Sequence, residues 1–158
     1  MRPIHHILVP TDFSASATQA VNTAAELAQR FDADLTLLHI VAPQYYLPDM
    51  VPPTMPMMTD MTAVLEEAAN SRLTELQASL NSKLQQITGE VKISTLKPAD
   101  AICQFTDQNA IDLIVIGCHG RTGLMHLLMG STAEHVVRYA SCPVLITKLE
   151  QKVKPKPE

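Results

Sequence analysis

The chain has 158 residues, a hydrophobic fraction of 46% with only 4% aromatic residues, and a formal charge of −4. That length fits one domain with an aliphatic core, and the acidic balance argues against a nucleic-acid partner, which would need a basic face. No apolar run approaches the roughly 18 residues of a membrane span, and Asp12 comes too early for a signal-peptide core to precede it.

Ile4 to Val9 is apolar and stops at Pro10, which predicts a first strand. Ser14 then stands as N-cap of a helix with a buried stripe of Ala17, Val21, Ala24, Leu27 with Ala28, and Phe31. Asp34 opens a second, nearly continuous apolar strand from Leu35 to Val41. Residues 42–60 hold five prolines and four methionines, Met50, Met55, Met57 and Met58 among them, and are expected as an insertion loop. The bland reading, a flexible crossover, outweighs a binding lid. A helix follows through Met61, Leu65, Ala69, Leu73, Leu76, Leu80, Leu84 and Ile87, with Gly89 just past its end. Val91, Ile93 and Thr95 alternate with polar residues as a half-exposed third strand. Pro98 opens a helix that holds Ala101, Ile102 and Phe105. Leu113 to Ile116 is the fourth strand, Val136, Val137 and Ala140 mark another helix, and Pro143 to Thr147 is the fifth strand. The tail from 149 to 158, rich in Lys and Pro, is expected to be disordered.

Strands and helices in alternation, with continuous apolar strands, imply a parallel α/β sheet covered on both faces. Right-handed crossovers make it open and doubly wound, with the ligand crevice at the strand C-terminal ends where the strand order reverses. In the order 3-2-1-4-5 the first and fourth strands are neighbours there, which puts Asp12 beside the loop that follows Ile116.

That loop holds four of the five glycines, Gly117, Gly120, Gly123 and Gly130. It runs to Ser131, read as an N-cap and, with Glu134, as a capping box. A glycine loop entering a helix N-terminus favours an anion, because free N–H groups and the helix dipole both point at it. The spacing Gly117-x2-Gly120-x9-Gly130-Ser131 is neither a Walker loop nor the dinucleotide fingerprint. His39-Ile40-Val41 ends the second strand where a dehydrogenase would place an acid.

The glycine spacing, filled at every position, resembles the ATP-binding branch of the UspA superfamily of universal stress proteins. Val9-Pro10-Thr11-Asp12-Phe13-Ser14, Leu38-His39-Ile40 and Ser141-Cys142-Pro143-Val144-Leu145 are similar to that family as well, in the same order. The resemblance spans residues 1–148 as one domain. It implies a Rossmann-like five-stranded sheet, a homodimer formed through the last strand, and a nucleotide site built on Pro10, Thr11, Asp12, Ile40, Ile116, Gly117, Gly120, Gly130, Ser131 and Thr132. In that site Asp12 takes the ribose hydroxyls and the Ile40 backbone takes adenine. Gly117 lets ribose and α-phosphate approach. Gly120, Gly130, Ser131 and Thr132 hold the phosphates, to which Mg²⁺ can bind.

Bland readings stand beside these. Asp12 can simply orient the first helix, Gly123 shapes the loop, and Arg121 is as readily a solvated arginine as a phosphate ligand. Cys103, Cys118 and Cys142 are an odd number at no metal-like spacing, which fits a reducing, cytoplasmic setting. Cys118-His119 lacks the further ligands of a metal site, and His126 and His135 read as surface residues. The leading expectation is a dimeric regulatory protein that holds ATP and hydrolyses it little, acting on a protein partner that the sequence does not name. An ATPase or nucleotidyl transferase on the same site, and a dimeric scaffold with an empty site, are the alternatives.

Overall fold

Five apolar segments form one parallel sheet: β1 (His6–Pro10), β2 (Asp34–Val41), β3 (Ile87–Ile93), β4 (Leu113–Gly117) and β5 (Val144–Thr147). The computed structural model of the chain describes residues 3–43, 61–80, 86–119 and 129–149. Much of the 42–60 insertion, Leu84, Gly120, Arg121, Gly123, His126 and all but the first residue of the 149–158 tail lie outside them. The strand order is β3-β2-β1-β4-β5, the expected one. β1 pairs with β2 on one side, Ile7 opposite Leu35, and with β4 on the other, Ile7 opposite Leu113.

Successive strand residues face opposite sides, and the sheet therefore carries two cores. Ile7, Val9, Leu35, Leu37, Leu113 and Val115 face α1 (Ala15–Phe31) and α2 (Met61–Leu80). Leu8, Leu38, Ile114 and Ile116 face α3 (Pro98–Gln108) and α4 (Ser131–Tyr139). The small residues Ala17, Ala20, Ala24 and Ala28 let α1 lie close on β1 and β4. Among the described residues no helix is long and apolar enough to cross a membrane.

Three sequence expectations are corrected. The α2 periodicity does not run to Ile87: that residue opens β3 opposite Leu35, and Gly89 sits inside the strand opposite Leu37. A Cβ at Gly89 would lie 2.8 Å from Gln77 Oε1, the movable end of a side chain, and 3.3 Å from Leu73 Cβ of α2. Thr95 lies beyond β3. Phe31, Leu65 and Val137 fit the helical stripes but are exposed, and Leu65 lies on the wall of the cavity described below.

Candidate functional site

The first β-to-α connection is held by its own short side chains. The Phe13 N–H donates to Thr11 Oγ1 (3.1 Å) and the Ser14 N–H to Asp12 Oδ1 (2.9 Å). Ser14 Oγ then accepts from Ala17 N–H (3.2 Å) as the N-cap of α1. These turns leave Phe13 at φ 63°, in the left-handed region that a bulky residue seldom occupies. The ring has two close neighbours: its centroid is 4.6 Å from that of His39, and the Arg72 guanidinium carbon lies 4.3 Å above it. His39 is fixed in turn, with Nδ1 donating to the Thr11 carbonyl at 2.7 Å. Asp12, half-buried, is thus oriented at the end of β1. Its helix-orienting role is real, and it still fronts the cleft.

Across the switch point, β4 ends at Gly117. A Cβ there would stand 2.5 Å from Ser16 Oγ and 2.8 Å from the Ser16 backbone. The glycine is therefore required by α1, whose first turn packs on the strand end, a reason the sequence does not disclose. Cys118 follows, its N–H donating to Thr147 O of β5 (2.9 Å) and its carbonyl accepting the Gly130 N–H (2.7 Å). That second bond brings the far end of the glycine loop back to the strand it left.

Helix α4 begins one residue earlier than the capping-box reading places it. Gly130 is the N-cap, at φ −74°, and Ser131 is the first helical residue, with no side-chain cap. Glu134 pairs with Arg138 one turn on (3.0 Å) and does not reach back to the helix start. Glycine's conformational freedom is not needed at Gly130, since that φ is open to any residue. Its N–H is committed to Cys118, so the unpaired donors of the first turn are those of Ser131, Thr132 and Ala133.

These ends surround one cavity of about 690 Å³, the size of a small-molecule site. Pro10, Thr11, Asp12, Ile40, Ile116, Gly117, Gly130, Ser131 and Thr132 all line it. Of the sequence candidates, Gly120 alone lies outside the described residues. The wall also includes residues the sequence reading left out: Phe13, Ala68, Arg72, Cys118 and His119. Leu65, Ala68, Ala69 and Arg72 come from one face of α2, at spacings of three and four, and that spacing was the available signal. Arg72 is the only lysine or arginine on the cavity wall among the described residues, and Asp12 the only carboxylate. No group of three metal-ligating side chains occurs among the described residues.

Residues 3–148 match the model of the universal stress protein family. A universal stress protein of Methanocaldococcus jannaschii, MJ0531, is 32% identical over 150 residues, covering 92% of this chain and 83% of its own. The solved structure of UspA from Lactobacillus plantarum superposes with a TM-score of 0.77 at 28% identity, over 92% of this chain and 99% of that one. An Arabidopsis thaliana family member solved with AMP bound has the same fold, with a TM-score of 0.64 at 19% identity over 96% of this chain and 97% of that one.

Proposed function

The chain belongs to the universal stress protein family, and from that premise we propose that it is an ATP-binding regulatory member whose nucleotide sits in the cleft at the ends of β1, β2 and β4. The observation that carries the reading is convergence: an oriented carboxylate, three strand ends and a helix N-terminus line one cavity. Asp12 takes the ribose hydroxyls, for a charge-assisted hydrogen bond is among the stronger neutral-pH contacts a sugar can make. The backbone at Ile40 reads adenine. The N–H groups of Ser131, Thr132 and Ala133 receive the phosphates, where the helix dipole adds to each hydrogen bond. Gly120, in the same loop, belongs to this phosphate set in our reading, and Mg²⁺ rides on the phosphate oxygens. The AMP found in the Arabidopsis relative is of the same ligand class.

Hydrolysis is slow or absent in this reading, because Asp12 is occupied in part by the Ser14 amide and is the one carboxylate at hand among the described residues. The functional unit is a cytoplasmic homodimer of domains spanning 1–148, joined along β5. That strand is at the sheet edge, with Leu145 exposed on it and Val137, Tyr139 and Leu149 exposed close by in sequence, and an unpaired edge invites a second copy. Isothermal titration with ATP and Mg²⁺ tests the reading. Saturable heat with one site per chain is expected; no heat at millimolar nucleotide refutes it.

A further inference from the structure

Cys118 is buried, 4% exposed, yet it lines the cavity, and it is not an isolated thiol. Its Sγ lies 2.9 Å from Nδ1 of His119 and 4.0 Å from the buried Ser16 hydroxyl. The same hydroxyl accepts the His119 N–H at 3.4 Å, which steadies the backbone that presents the imidazole. Two backbone hydrogen bonds, to Thr147 and from Gly130, fix the residue between β5 and the start of α4. The thiol thus has a base in contact, a fixed position and an aqueous cavity from which a small molecule can approach. The imidazole stands where it can take the thiol proton as the sulfur reacts.

We propose that Cys118 is an oxidant-reactive thiol of this protein, a modification site opening on the cleft, with His119 as its base and hydrogen peroxide as its co-reactant. The Cys118 proton passes to His119 Nδ1, in the tautomer that carries its hydrogen on Nε2. The thiolate sulfur attacks one peroxide oxygen, forming an S–O bond as the O–O bond breaks. The second oxygen leaves as hydroxide and takes the proton back from the imidazolium as water. Sulfur is oxidised by two electrons to a sulfenic acid and peroxide is reduced.

The other two cysteines serve as internal controls. Burial, and then the nearby Asp107 and Asp100, push the Cys103 thiol up. Burial above all, with Asp112 and Asp107 adding to it, does the same at Cys142. Among the described residues, Cys118 alone of the three has a hydrogen bond to a histidine.

The full chain, without nucleotide, is treated with hydrogen peroxide in the presence of dimedone, which traps sulfenic acids, and the adducts are located by peptide mass spectrometry. The expected result is an adduct at Cys118 that forms about tenfold faster than at Cys103 or Cys142. His119→Gln, with its fold checked by circular dichroism, slows it about tenfold or more. Equal labelling of the three cysteines overturns the proposal. So does an adduct at Cys118 that appears only after denaturation, or a His119→Gln rate equal to that of the parent.

Discussion

Gly117→Ala adds one methyl group where the end of β4 meets the first turn of α1. The new Cβ would fall 2.5 Å from Ser16 Oγ and 2.8 Å from both the carbonyl carbon and oxygen of Ser16. The hydroxyl can rotate away, but the carbonyl belongs to the hydrogen-bonded backbone of a helix. To reach the 3.4 Å of ordinary contact, α1 or the end of β4 has to move. Both are constrained: Ala17 and Ala20 are buried against the sheet and Ile116 lies in the opposite core. Overpacking of this kind costs about 1–3 kcal/mol, which for a domain of this size lowers Tm by roughly 2–12 °C. Urea denaturation of the ligand-free protein reads it as a lower midpoint at an unchanged slope. Because the backbone contacts persist without the hydroxyl, the loss should survive in a Ser16→Ala background. A Gly117→Ala protein within about 0.5 kcal/mol of its parent, or one fully restored by Ser16→Ala, would refute the reasoning.

The other expectations concern the ligand and the thiols. Asp12→Asn keeps an oxygen for the Ser14 amide, so Tm should hold while ATP binds about tenfold more weakly through loss of the charged acceptor; equal affinity by calorimetry would remove Asp12 from the site. Cys103 and Cys142 have thiols raised in the folded state, so the unfolded chain gives up these protons first. Stability is therefore intact below the ordinary thiol range and falls as pH climbs through it and above. Replacing both by Ser should flatten that part of the urea-midpoint curve, and an unchanged slope would count against it.

How far the residues disclose the molecule differs from element to element. The parallel doubly wound sheet followed from continuous apolar strands alternating with helical stripes, patterns that local chemistry sets. The end of α2 did not follow, because Leu84 and Ile87 keep helical phase while Ile87 is claimed by pairing with Leu35, a contact 52 positions away in the chain. Asp12 and the 130–132 segment were legible at strand and helix ends, where ligand chemistry concentrates. Gly117 was legible as a residue of the cleft wall but not in its packing role, which depends on where Ser16 comes to rest. Arg72 was hidden for the same reason: only tertiary packing brings the third turn of α2 over Phe13.

The cleft has α2 on one rim and the start of α4 on the other, and these helices pack on opposite faces of the sheet. Each layer of helices otherwise adheres to its own face of the sheet. A molecule seated there touches both at once and acts as a rivet through the sheet edge. Occupancy would then make the two layers open as a single cooperative unit, in which neither can fray without releasing the ligand.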